Sequence, residues 1–451
     1  MRMSSFVKEV SDCFRTKSAN SADIACRYVG GLLSETRRKN MERMDERLGK
    51  EPDIWDDSYQ ATQQFISTSP WDESLLYSRI ADRAGERLGG TLDSVLSIDE
   101  SSHAKKGRAS VGVARQWNGR LGKEDNCQTG VYSALSCGSR VCLTGSRLYL
   151  PKEWIDDPDR CRGAGVPEER IEQGLLTKLD HARELITEAI DNGLKFGCVA
   201  MDAFYGRDTT LRRFMEEQGL TYCVDVPSNA RLFTTEPTCA ERPKLMGPAT
   251  KTVAQVAADV LRNPKRPMTT IVLRPGDDGD VEADVCAERV WEWTEGEETP
   301  SEMWLVIRRM PDGTLKHSLC NAGRTTSLRR LAGWQAARFW VERCFQDAKS
   351  HCGMAQYQAR GWVAWHHHMA LVALAILFQM QERMSTTAPL PELTAADIME
   401  LMEWALIRRP SEAELIARIS RRHEKREQSA RNKQLAKKRR RKQAENSSKY
   451  E

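Results

Sequence analysis

From about residue 91 the sequence stops reading as helix and begins to read as sheet, and this change restricts the fold more than any other feature. LDSVLSIDES, ASVGVARQWNG and CQTGVYSALSCGSRVCLTGSRLYL are rich in Val, Leu and Ser and are separated by glycine-containing breaks. Three such runs in succession predict an antiparallel meander. TKLDHARELITEAIDNGLK then repeats apolar residues at helical spacing, and FGCVAMDAFYG reads as a short buried strand. DTTLRRFMEEQGL predicts another helix and TYCVDVPSN another strand. Three strands, helix, strand, helix, strand describe a mixed sheet with helices packed on it, an α/β fold.

The flanking segments differ in texture. Residues 1–90 read as helical, because ADIACRYVGGLLSETRRKNMERM and ESLLYSRIADRAGERLGG place apolar residues three and four apart. Ser69-Pro70-Trp71-Asp72 punctuates them, with Asp72 positioned as a helix N-cap. Residues 226–325 carry turn signals, RPGDDGD and MPDGT, between the strand-like runs TTIVLRP, ERVWEWTE and MWLVIRRM, and predict an inserted β-rich subdomain. SLRRLAGWQAARFWVERCFQDAKSHCG comes next as a long helix with Gly353 as its C-cap. GWVAWHHHMALVALAILFQMQERM is a further helix expected on the core, and Pro389 and Pro391 open a linker. The chain of 451 residues exceeds one ordinary core. Its expected division is a helical region 1–90, an α/β core 91–385 carrying the insertion, and a helical region with a tail, 386–451.

Composition narrows the setting. Hydrophobic residues are 40% and charged residues 29%, the balance of a soluble globular protein. The longest apolar candidate, Met369–Met380, is shorter than the roughly 18 residues a membrane crossing needs and reads as a core helix. The N-terminus lacks a signal-peptide pattern, so a cytoplasmic protein with no membrane partner is expected. The 13 cysteines form no C-x-x-C pair, and His366, His367 and His368 would point three ways from a helix, so no zinc site is expected. Net charge is only +4, yet residues 421–442 hold twelve Lys or Arg against two Glu, a local excess of +10. Such a tail is attracted to phosphate backbones through counterion release, or else merely solubilises the chain. Arg37, Arg38 and Lys39 could likewise grip DNA phosphates or form a solvated face.

Acids stand where strands end. Asp99 comes after Val95, Leu96 and Ile98, and Asp202 ends the buried run Phe196–Met201. A carboxylate among apolar neighbours is costly unless neutralised, and a metal would neutralise it. Phosphodiester cleavage by two metals needs such carboxylates, converging from separate strands. Asp225 also ends a strand and competes for the second position, whereas Glu100 should face away from Asp99. Any one of these aspartates could instead be a turn or cap residue.

A third carboxylate lies on the long helix. Arg338, Glu342 and Lys349 fall within roughly 40° of one another at 100° per residue. One face therefore offers a carboxylate flanked by two cations. A surface salt-bridge stripe is the alternative, but Trp334, Phe339, Trp340 and Phe345 mark a helix packed on a core.

These segments resemble the insertion-sequence DDE transposases, in the branch with a Tyr-x-x-Arg-x-x-x-Glu-x6-Lys signature. The resemblance runs from about residue 25 to 385 and includes FISTSPWD, SIDESSHAKKGRASVGVARQWNGRLGKEDNCQTGVYSAL, RLYLPKEW, MDAFYG and VERCFQDAKSHCGMAQYQARGW. It implies a ribonuclease H-like mixed sheet with a helical N-terminal domain and a β-rich insertion. It implies Asp99, Asp202 and Glu342 as the triad holding two Mg²⁺ or Mn²⁺ ions, with Arg338 and Lys349 on DNA phosphates. In such relatives a tryptophan of the insertion stacks on a flipped base; Trp291, Trp293 and Trp304 are the candidates here. The implied partners are double-stranded DNA, as terminal inverted repeats and target, and a second copy of the chain. The signature tyrosine falls on Gln335, a departure that leaves the carboxylates intact. The alternatives are a catalytically inactive or domesticated DNA-binding repressor, another ribonuclease H-like nuclease, and an interaction protein whose tail binds RNA or acidic partners.

Overall fold

A computed structural model of the protein describes residues 2–406 apart from 18, 37, 49–57, 120, 239–248, 277–278, 295–297 and 385–392, and scattered positions between 416 and 438. The 386–392 part of the expected linker, and most of the basic tail, lie outside the described residues.

The strands are β1 (Ser94–Ala104), β2 (Ala114–Asn118), β3 (Lys123–Cys137), β4 (Arg140–Leu148), β5 (Cys198–Met201) and β6 (Tyr222–Asp225). They continue as β7 (Arg231–Phe233), β8 (Thr250–Thr252), β9 (Thr269–Gly276), β10 (Gly279–Glu292), β11 (Ser301–Arg309) and β12 (Leu315–Cys320). The third strand-like run proves to be two strands. Gly138, with φ 59°, turns the chain tightly between β3 and β4, a conformation that glycine adopts without steric cost. β3 pairs antiparallel with both β1 and β4, and short β2 pairs with its N-terminal end. β5 joins β1 in parallel and β6 joins β5 in parallel, each reached through helices, as parallel pairing requires. The result is a mixed α/β sheet, consistent with the ribonuclease H-like order that the strand sequence anticipates.

The segment 226–325 is rich in strands, as expected, and also contains the helix Val253–Arg262. Its strands are not a separate sheet. β12 pairs antiparallel with β6, so that β11, β10 and β7 extend the same twelve-stranded sheet.

The N-terminal helices form where the spacing predicts, but the segment 22–44 is two helices, Ala22–Leu32 and Met41–Leu48, in place of one. Gly31 brings them together, since a Cβ there would lie 2.7 Å from the Met44 Cβ. Asp72 does cap the helix Glu73–Leu88, accepting from the Ser74 and Leu75 N–H groups at 2.9 and 3.3 Å. These helices do not keep a core to themselves. Phe14, Phe65, Trp71 and Ile80 belong to the same apolar cluster as Leu96, Val131 and Leu371.

At the centre lies the helix Trp362–Met384. By length and composition it could cross a membrane, but 94% of its most apolar window is buried inside the protein, so it is a core helix. Its three histidines diverge. His366 meets the Trp362 carbonyl at 3.0 Å, and His367 lies between the Ile66 and Trp71 carbonyls at 3.0 and 3.1 Å. His368 hydrogen-bonds the Tyr28 hydroxyl at 2.8 Å. His367 and His368 tie the N-terminal region to the core helix, and burial holds all three imidazoles below their ordinary pKa. The twelve described cysteines are free, and ten of them are buried.

Candidate active site

Strand register builds the site. Ile98 pairs with Met201, and Met201 with Val224, across three adjacent parallel strands. Asp99, Asp202 and Asp225 each come one residue later, so the three stand level along one row. Neighbouring strands are about 4.8 Å apart, and such C-terminal strand ends are where open α/β sheets place their ligands.

The helix Leu328–His351, capped by Ser327, packs over β1, β5 and β6 and brings Arg338 down onto that row. The Arg338 guanidinium contacts Asp99 at 3.2 Å, Glu342 at 2.8 Å and Asp225 at 3.9 Å. Asp202 lies close enough to act on the same guanidinium through its charge. Three carboxylates, from β1, the end of β6 and the long helix, therefore meet one arginine, and Asp202 just past β5 acts on it through its charge. Arg338 is largely buried, and a buried arginine without these partners would carry an uncompensated charge.

Each acid has its own environment. Asp99 is 8% exposed and accepts the Glu100 N–H at 2.8 Å. Asp202 spends one oxygen on capping Ala203–Gly206, accepting from the Phe204 and Tyr205 N–H groups at 2.9 and 3.3 Å. Asp225 is held on one oxygen by side chains. It accepts from the Ser318 hydroxyl at 2.5 Å and from the Gln335 amide at 2.9 Å. Gln335, at the position that departs from the signature, is thus buried against the competing aspartate. Glu342 is the most open, with its side chain 52% exposed. Glu100 faces away from the row as expected, paired with Lys178 at 2.7 Å and accepting from Tyr205 Oη at 3.4 Å.

Burial is the largest influence on Asp99 and pushes its carboxyl up to about 7. Arg338 opposes that rise, while Asp202 and Glu342 add to it. The cluster holds more negative charge than one guanidinium neutralises. Hard divalent cations prefer carboxylate oxygens, so the donor set suits Mg²⁺ or Mn²⁺. In this arrangement, however, no three acids, histidines or cysteines among the described residues are disposed to hold a metal ion. Arg338 stands between Asp99 and Glu342 in that role.

The raised carboxyl gives stability a pH dependence of definite sign. Asp99 has a higher pKa folded than unfolded, so its contribution to stability is fully present below about pH 4 and lost as pH rises through about 7. Without divalent cations, the melting temperature should carry a falling component between pH 5 and 8, and Asp99→Asn should remove it. Mn²⁺ should raise the melting temperature more at pH 8 than at pH 5. A Mn²⁺ shift independent of pH would refute this account of the cluster.

The remaining predicted residues sit elsewhere on the long helix, in the insertion and near the N-terminus. Lys349 is farther along the same helix, near enough to His103 to oppose its protonation. Trp291 is on β10 and Trp304 on β11, three and two strands beyond β6, and Trp293 comes after β10. Trp304 is engaged, its indole N–H donating to the Gly323 carbonyl at 3.2 Å and Arg289 lying 4.7 Å over its ring. Arg37 is outside the described residues and Arg38 is exposed. Lys39 is not a phosphate grip. It is buried, and its ammonium donates to the Leu32 and His351 carbonyls, closing the C-terminal end of the long helix.

Two features of the site have no local signal in the sequence: Arg338 at the centre of the acids, and the hold of Ser318 and Gln335 on Asp225. Spacing alone pairs Arg338 with Glu342, but the register of β1, β5 and β6 is needed to add Asp99 and Asp225.

A mixed sheet with acids level across three parallel strands, one within β1 and two where β5 and β6 end, defines a protein that concentrates negative charge at one place. The chain belongs to the DDE superfamily endonucleases, whose family model matches residues 9–271, more than half of its length. The match includes Asp99, Asp202 and Asp225 and ends before Glu342. The chain is also similar to a probable transposase for insertion sequence element IS701 from Microchaete diplosiphon. The two are 26% identical over 333 residues, 73% of this chain and 74% of that protein. The resemblance to insertion-sequence DDE transposases drawn from the motifs agrees with both comparisons.

Proposed function

We propose that this protein is a DNA transposase that cuts at the ends of its mobile element and joins them to target DNA. The observation that carries the reading is the gathering of Asp99, Asp202 and Glu342, spread over more than 240 residues of chain, around Arg338. Asp99, Asp202 and Glu342 are the residues that would hold two Mg²⁺ or Mn²⁺ ions. When bound, such ions activate a water or hydroxyl nucleophile and stabilise the leaving oxygen. Asp225 is left out of that set in this reading, since Ser318 and Gln335 both hold its Oδ1 from the side of β12 and the long helix.

The chain's own residues do the rest. Arg338 keeps the acids together while no stronger cation is present, and its guanidinium then becomes available to a DNA phosphate, for which its planar fork is suited. Lys349 offers a second cation on the same helix, and the C-terminal basic tail adds affinity independent of sequence. Asp202, fixed by two backbone N–H groups, keeps its position as the charge around it changes. We assign residues 1–90 to DNA binding, 91–385 to the catalytic core with its 226–325 insertion, and 386–451 to the C-terminal region. Paired element ends imply a dimer assembled on DNA.

The test is cleavage of a labelled duplex carrying the element's terminal repeat. Nicking at the element boundary should appear with Mg²⁺ or Mn²⁺ and vanish on chelation with EDTA. Binding without cleavage under either metal would replace this reading with that of an inactive DNA-binding copy.

A further inference from the structure

Beside the carboxylates, one aromatic side chain is left facing solvent. Phe204, two residues after Asp202, is 37% exposed. Its N–H donates to the Asp202 carboxylate at 2.9 Å, which ties its place to that of the acid. Two cations border its ring. Lys178 Nζ lies 5.5 Å and the Arg207 guanidinium 5.1 Å from the ring centroid. Lys178 is anchored by Glu100, the neighbour of Asp99. Arg207 is exposed and makes no ion pair among the described residues. Tyr205 braces the ring edge-on, with centroids 5.1 Å apart.

The ring is not part of the buried apolar core and leaves over a third of its surface open. Its face, bordered by one committed and one open cation, fits a ligand that combines a flat π-surface with an anion. A nucleotide unit has both. Bases stack on aromatic rings with little regard to sequence, and nearby cations hold the phosphates.

We propose that Phe204 is a stacking platform for an unpaired nucleobase of the DNA strand entering the carboxylate cluster, with Arg207 receiving the adjoining phosphate. This rests on the DNA-cutting function proposed above and extends it. It moves the base-stacking role from Trp291 or Trp293 to a ring beside Asp202.

The test uses the full chain and fluorescein-labelled DNA in EDTA, comparing a forked duplex bearing an unpaired oligothymidine arm with a blunt duplex of the same length. Phe204→Ala should weaken binding of the fork roughly 10- to 100-fold, the scale of one lost base stack, and that of the blunt duplex less than about 3-fold. Phe204→Trp should bind the fork at least as tightly as the wild type. Arg207→Gln should flatten the salt dependence of fork binding by about 0.7 in the log–log slope, as for one phosphate contact on a single strand. Thermal melting controls for folding, which an exposed side chain should not disturb. Unchanged fork binding by Phe204→Ala, or an equal loss on both duplexes, overturns the proposal. No cleavage is needed for this result, so failure of the wild type to cut DNA would sink the enzymatic reading separately.

Discussion

Glu342→Ala is expected to lower metal-dependent DNA cleavage by at least about 10³-fold, while DNA affinity changes no more than about 2-fold. The first figure corresponds to roughly 4 kcal/mol of transition-state stabilisation, the several kcal/mol that a bound metal supplies through charge. The second reflects the exposure of Glu342, whose side chain is 52% accessible and packs into no core. The fold should survive, because Arg338 keeps Asp99 and Asp225 as partners. Glu342→Gln makes the comparison sharper. It preserves a hydrogen-bond acceptor for Arg338 but removes the negative charge, so it should be almost as inactive as the alanine variant. Single-turnover nicking of the terminal-repeat duplex measures the rate and anisotropy measures the affinity. A glutamine or alanine variant within tenfold of the wild-type rate would remove Glu342 from the triad.

Gly206→Ala should destabilise the protein by about 3 kcal/mol, toward the upper end for an added methyl group in a packed site. A Cβ at Gly206 would collide with the Asp225 carbonyl oxygen and come within 3.0 Å of the Val224 Cβ. The first obstacle is backbone in a parallel strand and cannot rotate aside. A shift of Gly206 would also break the contact its carbonyl accepts from Arg212, a buried arginine whose other nitrogen is held by Glu292 at 2.6 Å. Because Asp202 caps this same short helix, the surviving folded protein should cut DNA more slowly as well. Gly333→Ala is the control. Nothing lies within 4 Å of its Cβ position, so the added helix propensity should stabilise the protein by about 0.5–1 kcal/mol. Urea unfolding of the three proteins decides the matter, and a Gly206→Ala protein as stable as the wild type would show that the turn is not closely packed.

Much of this molecule is set by local rules. The switch from helical spacing to Val-, Leu- and Ser-rich strand runs at residue 91, the N-cap at Asp72, the outward face of Glu100 and the divergence of the three histidines depend on neighbours within a few residues. So does the ion pair of Arg338 with Glu342, which one turn of helix determines. Local patterning thus yields most of the elements, the α/β class and a short list of acids, while merging Ala22–Leu32 with Met41–Leu48 and β3 with β4.

Long-range pairing decided where those acids stand. Nothing near Asp99 in the chain indicates that β5 and β6 align so that Asp202 and Asp225 stand level with it. What distinguishes the surroundings of those two aspartates is Ser318 and Gln335, which lie 93 and 110 residues beyond Asp225. Lys39 reads as part of a basic surface because its neighbours are Arg37 and Arg38, yet it closes the end of a helix that begins nearly 290 residues later. The insertion reads as its own unit because turn signals alternate with strand-like runs within it, but β12 found an open edge at β6 and continued the sheet. Periodicity specifies which face of an element is apolar, whereas the partner of that face, and the register between them, depend on free energies summed over contacts that only the folded chain makes.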